Sequence, residues 1–175
     1  YQYLKKINTD IDKIFENITG QSGVSILYKP NILFDKYDDD VIKKKMSEIY
    51  KINYQRELHL GMTIFGPHRD DFQFIYHGND MKLYSSQGQQ KSAVLAYKLA
   101  TIPVFDEKSG TKPVLLLDDI FGELDLKKRN KLLNYINSDI QSIITTTDLK
   151  NISKKALATA TIFSISNSGI ERRNN

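Results

Sequence analysis

The sequence predicts an α/β protein with a mostly parallel sheet, preceded by an α-rich element. Three observations carry this. After residue 110, short β-branched or leucine-rich runs alternate with helical stretches in the order strand, helix, strand, helix, strand. One of these runs, Val114 to Leu117, is apolar at every position, as a strand covered on both faces requires. Before residue 60, two helical stretches flank one strand-like run. The texture changes at Gly61, so residues 1–60 are expected to form one unit and residues 61–175 another.

Taken in order, Leu4, Ile7, Ile11, Ile14, Phe15 and Ile18 recur at helical spacing, and Gly20 and Gly23 end that helix. "VSILYKPNI" reads as a strand stopped near Pro30. The second helix runs through "YDDDVIKKKMSEIYKINYQREL". Asp38 to Asp40 sit at its start, where carboxylates favour the positive end of the helix dipole. Asp39 with Lys43 and Asp40 with Lys44 are spaced to pair along it. "FQFIY" and "MKLYS", joined by "HGND", predict a β-hairpin. The next helix begins at Ser86, with Gln89 completing a capping box, and Pro103 is expected to end or kink it. "DEKSGTKP" reads as a loop, "VLLLDD" as a strand and residues 125–137 as a helix. "QSIITTT" is a second strand, "LKNISKKAL" a short helix and "TIFSIS" a final strand.

The totals bound the function. The 175 residues suit one or two domains. There is no cysteine, which excludes disulfides and thiolate metal sites and fits a reducing, cytoplasmic location. A net charge of +4 permits contact with a phosphate backbone without requiring it. His59, His68 and His77 are nine residues apart, a spacing with no metal-site logic. "HRDD" lacks the asparagine that a kinase catalytic loop needs, with Ile75 in its place. The phosphate loop G-x-x-x-x-G-K followed by Ser or Thr is absent from these residues.

Two stretches carry chemistry. In "PVLLLDDIFGELD" an apolar strand ends in Asp118 and Asp119, at the end of a parallel strand where ligands gather. A carboxylate there can hold Mg²⁺ on nucleotide phosphates, mostly through water, and its neighbour can orient an attacking water. Asp125 opens the following helix. In "SSQGQQK", Ser86 supplies a hydroxyl at a helix start and Gly88 lets backbone N–H groups approach a ligand closely; such a start is an anion site. A plain capped helix accounts for Ser86 and Gln89, but not for Gly88, which costs a helix roughly 1 kcal/mol relative to alanine.

These blocks, in this order and behind "GPHRDDFQF", resemble the C-terminal half of an SMC-like ATP-binding-cassette ATPase head, most closely that of the RecF family of bacterial DNA repair proteins. The resemblance covers about residues 60–170; residues 1–60 fit by position, as the returning part of a helical arm. It implies that Ser86, Gln87, Gly88, Gln89 and Gln90 form the signature motif, which binds the γ-phosphate of ATP held by a second copy. It implies that Asp118 is the Walker B residue serving Mg²⁺ and that Asp119 is the catalytic carboxylate. Gly122 to Asp125 would be the D-loop, with Asp125 reaching across a dimer, and Thr147 would occupy the switch position. Gly122 stands where the family commonly has Ser or Ala, Asp119 is one methylene shorter than the common Glu, and Thr147 has no imidazole. Those departures imply slow turnover. Implied cofactors are ATP and Mg²⁺. Implied partners are duplex DNA beside a single-stranded gap, a second copy of the chain on ATP, and RecR, RecO and RecA. Lys127, Lys128, Arg129 and Lys131 are candidate DNA contacts, although an exposed helix face explains them too. The phosphate loop would lie in the N-terminal half. Another SMC-like chromosome-maintenance ATPase, a transporter's nucleotide-binding subunit and a non-catalytic module on the same fold remain open on this reading. The role of Gly66 to Asp71 is left between a turn with an internal Arg69 ion pair and an unknown function.

Overall fold

A computed structural model describes residues 1–136, 140–149, 152–167 and 169–173. Helix α1 (Gln2–Thr19) leads through Gly20, in the left-handed conformation, to strand β1 (Val24–Lys29). Helix α2 (Asp39–Leu60) follows, then a 3-10 turn over Pro67–Arg69 and strand β2 (Asp71–Tyr76). A two-residue strand β3 (Asn79–Asp80) runs into the one-turn helix α3 (Met81–Tyr84) and the long helix α4 (Gln87–Ser109). The second half holds β4 (Leu115–Leu117), α5 (Ile120–Glu123), α6 (Leu126–Ile136), β5 (Ser142–Ile144), α7 (Lys154–Thr159), β6 (Ile162–Ser166) and β7 (Gly169–Arg173).

The α/β class holds, and β4 and β5 form its parallel pair, Leu115 to Leu117 opposite Ser142 to Ile144. Other pairings differ from the expectation. β1 pairs antiparallel with β2, which joins residues 24–29 to residues 71–76 in one sheet. "MKLYS" is a helical turn and not a hairpin arm. The Asp80 carboxylate accepts the Lys82 N–H, and Met81 is buried, so capping and burial together override the strand pattern. The run at 162–166 turns back onto β7 as an antiparallel pair, a partner the sequence reading did not include. The expected short helix at 149–157 begins at Lys154; Lys150 and Asn151 lie outside the described residues, as do Asn137 to Asp139 beyond the end of α6.

The core is built by α1 on α4. Ile7, Ile11, Ile14, Phe15 and Ile18 are the buried face of α1, at the spacing the sequence predicts. Ala93, Ala96, Leu99 and Ala100 meet them from α4, and the small residues bring the helix axes close. Leu117, Phe121, Leu132 and Ile136 extend the same cluster under β4 and α6. α4 passes through Pro103 and ends at Gly110, so the proline neither stops the helix nor frees 106–109 as loop. Pro103 is exposed while its neighbours Ile102 and Val104 are buried, so the missing N–H faces solvent and burial holds the last turns. The pairs Asp39 with Lys43 and Asp40 with Lys44 do not close to ion-pair distance among the described residues; both lie on a water-facing helix where pairing is worth little. Asp38 instead caps α2, accepting the Asp40 N–H at 3.1 Å.

The "GPHRDD" segment acts as a structural tie. The Asp70 carboxylate accepts the Tyr28 hydroxyl and, at 2.8 Å, the Asn31 N–H. Burial, then Asp70, push the Tyr28 hydroxyl well above its usual pKa. Arg69 donates toward Thr63 O and Met62 Sδ, so the expected ion pair with Asp70 or Asp71 is not made; Asp70 is already turned inward to β1. Gly66 has φ +133°, and a Cβ there would lie 2.8 Å from Tyr50 Oη. Gly66→Ala is therefore expected to destabilise the protein by about 1–3 kcal/mol, read as a drop in the urea midpoint.

Candidate functional site

The first half of the site is the start of α4. Ser86 Oγ accepts the Gln89 N–H at 3.3 Å, and Gln89 Oε1 accepts the Ser86 N–H at 2.9 Å. This is the predicted capping box. Gln89 Nε2 donates to Gln21 Oε1 at 3.2 Å, which braces the cap against the end of α1. Gln90 Nε2 donates to Met81 O and Ser85 O, both at 3.0 Å, and fixes the turn between α3 and α4. The two glutamines thus hold the loop. Ser86, Gln87 and Gly88 stay exposed, and a Cβ at Gly88 would meet nothing within 4 Å. Ser92, fully buried, donates to Gly88 O at 2.7 Å and pins the glycine's carbonyl inward. What remains at the surface is a helix start in which the Gln89 and Gln90 N–H groups are taken by Ser86 and those of Gln87 and Gly88 are left for a ligand.

The second half is the tip of β4. Leu117 is buried, and Asp118 and Asp119 emerge into solvent directly after it. Asp119 has φ 45° and ψ 25°, a left-handed backbone uncommon outside glycine. The neighbouring strand ends alongside. Thr145 N–H donates to Leu117 O at 3.0 Å, the Thr145 hydroxyl donates to the Asp118 carboxylate, and the same oxygen accepts the Asp119 N–H at 3.0 Å. The Asp119 carboxylate lies over Gly122, where a Cβ would sit 3.4 Å from Oδ2, an ordinary contact. Thr147 lies exposed two residues beyond Thr145.

Asp125 opens α6 as expected. Its Oδ1 accepts the Lys128 N–H at 2.9 Å, and Lys128 Nζ lies 3.6 Å from Oδ2. The Lys128 N–H, ahead of its ammonium, holds the Asp125 carboxyl below the usual carboxylate range. A depressed folded pKa contributes stability above the unfolded value and loses it as pH falls through the folded one. Asp125→Ala should cost about 1 kcal/mol at neutral pH, by urea unfolding, and the difference should shrink at acid pH. The basic residues of α6 are dispersed. Arg129 Nε donates to Leu124 O at 2.8 Å, Lys128 faces Asp125, and Lys131 Nζ reaches the end of α1, 3.5 Å from where a Gly20 Cβ would be. Lys127 is the exposed member, the other three being half-buried.

Asp118, Asp119 and the Thr145 hydroxyl make a donor set with few protein ligands. Among the described residues there is no cluster of three or more carboxylates and histidines. Two adjacent carboxylates can give a divalent cation one or two ligands and leave its other positions to water and phosphate oxygens. Among the described residues, no hydrogen bond or ion pair joins 85–90 to 118–119. Sequence reasoning missed Thr145 and Gln21. The parallel register was the signal for Thr145, because pairing Leu117 with Ile144 puts the next residues side by side. Gln21 carries no such signal, since its contact crosses from one helix end to another.

No family model matches the chain. Curated relatives do. It is 39% identical over 168 residues to the DNA replication and repair protein RecF of Lactobacillus johnsonii, covering 94% of this chain and 45% of the relative. It is 38% identical over 165 residues to the RecF of Gloeothece citriformis, covering 93% of this chain and 42% of the relative. The chain therefore spans less than half the length of these relatives. Among solved structures it is similar to the recombination mediator protein RecF with ATP, at a TM-score of 0.75 and 27% identity, over 99% of this chain and 45% of that one. An Smc head bound to the C-winged helix domain of ScpA matches at 14% identity and a TM-score of 0.52, over 97% of this chain and 42% of that one, a likeness of fold alone. On these grounds the chain belongs to the RecF family and corresponds to the C-terminal half of its members.

Proposed function

We propose that this chain supplies the trans-acting half of an ATP site, together with the metal- and water-handling carboxylates, in a RecF-type DNA repair protein that dimerises on Mg·ATP. The observation that carries the reading is that the chain presents both an exposed, capped helix start at Ser86 to Gly88 and a solvent-facing acidic strand tip at Asp118 and Asp119, with no hydrogen bond or ion pair between them among the described residues. Two copies face to face bring each helix start to the other's nucleotide. Ser86 Oγ and the N–H groups near Gly88 then bind the γ-phosphate. Asp118 would hold Mg²⁺ through water, and the ion when bound neutralises phosphate charge. Asp119 orients the attacking water, and its short side chain and Thr147 at the switch position favour slow turnover. Loss of the γ-phosphate removes the capping contact and loosens the dimer. Asp125 reaches the facing copy across the same interface.

The exposed apolar residues of α2, which has no buried residue, support a helical arm at α2, while α1 and β1 join the head part within 61–175 through α4 and β2. Lys127 and the other basic residues of α6 would contact duplex DNA beside a single-stranded gap, and RecR, RecO and RecA would follow as partners. No described helix is long and apolar enough to cross a membrane. Without a phosphate loop, the purified 175-residue chain should not hydrolyse ATP; measurable turnover in a coupled phosphate-release assay would overturn that division of labour.

A further inference from the structure

We infer that Thr145 is a positioning residue for the carboxylate pair, and this rests on the reading of Asp118 and Asp119 as the metal- and water-handling groups. Its single hydroxyl makes two bonds with different consequences. The O–H donates to the Asp118 carboxylate and leaves that group's other lone pairs facing solvent. The same oxygen accepts the Asp119 N–H at 3.0 Å, at the residue whose φ of 45° aims its carboxylate over Gly122. A hydroxyl can donate once and accept at the same time, which no aliphatic side chain can do. Thr145 itself is anchored by its own N–H on Leu117 O, at the point where β4 and β5 stop. The three contacts set where both carboxylates stand relative to each other. Without them, Asp118 is free to rotate and Asp119 loses a bond that holds its left-handed turn. Outer partners of this kind orient a metal-holding carboxylate without touching the metal.

The test uses a full-length RecF-family protein carrying this chain, with Thr145→Val, Thr145→Ser and Asp118→Asn beside the unmodified protein. The readout is the Mg²⁺ concentration at half-maximal ATP-dependent dimerisation, followed by sedimentation at saturating ATP. Thr145→Val, close in volume, is expected to raise that midpoint about ten- to a hundredfold, and Thr145→Ser to restore it to within about twofold. Far-UV dichroism should match across all four. A Thr145→Val midpoint equal to the unmodified protein's overturns the inference, and so does an equal shift in the valine and serine variants. A protein that dimerises on ATP with no dependence on Mg²⁺ or on Asp118 sinks the reading of the acidic tip itself, a separate outcome.

Discussion

Ser86→Arg in a full-length RecF-family protein carrying this chain is expected to abolish ATP-dependent dimers and leave a folded monomer. Ser86 is exposed, and its hydroxyl both caps α4 and stands beside the open N–H groups of the first turn. Arginine fills that space with a long side chain and removes the acceptor for the Gln89 N–H. The lost cap costs about 1 kcal/mol, small against a total stability of about 5–15 kcal/mol. The core beneath is untouched, because Ala93, Ala96 and Leu99 belong to the cluster with α1 and do not depend on the cap. The dimer contact has no such reserve if the γ-phosphate must sit on this helix start. Light scattering with and without ATP reads the dimer, and a thermal melt reads the fold. Dimers that persist at unmodified levels would remove the signature role from Ser86.

Phe15→Ala is expected to have the largest effect on folding. Phe15 is fully buried on α1, with its ring 6.0 Å from that of Tyr76 on β2, so it touches both the helix layer and the sheet. Truncation removes the transfer energy of the ring and leaves a cavity between two elements that cannot both collapse, at a cost of about 3–5 kcal/mol. Phe163 on β6 is 59% exposed and provides the contrast. Phe163→Ala should change stability by no more than about 0.5 kcal/mol. Urea unfolding of the two variants checks both numbers, and equal losses would mean that β6 is buried in the folded protein.

Much of this fold and site is legible in the sequence alone. The Ile7, Ile11, Ile14, Ile18 spacing placed the α1 face correctly because a period of 3.6 is a property of the backbone alone. The Ser86 and Gln89 cap and the β4 tip were legible for the same reason: each is set by residues adjacent in sequence. What failed depended on partners far along the chain. β1 and β2 each have a strand pattern, but nothing local says that they pair across the intervening α2. Met81 looked like part of a strand until burial and the Asp80 cap drew it into a helical turn. Of the two outcomes expected at Pro103, an end or a kink, the end does not occur, because Ile102 and Val104 in the core carry the helix on to Ser109. Adjacency in sequence suggests an ion pair of Arg69 with Asp70 or Asp71, yet Asp70 reaches Tyr28, distant in sequence and on the neighbouring strand β1. In the site, the carboxylates were readable and the hydroxyl that holds them was not, since Thr145 sits within a run of three threonines that only the strand register tells apart.

The measurement that reaches the central claim most directly mixes two defective full-length proteins, one with Ser86→Arg and one with Asp118→Asn. If a helix start from one copy and an acidic tip from the other complete each site, a mixed dimer contains one site with both halves intact. ATP turnover should then reappear in the mixture while each variant alone stays inactive. If instead both halves serve the nucleotide of their own copy, every site in the mixture carries one defect and turnover stays at background, which would contradict the account.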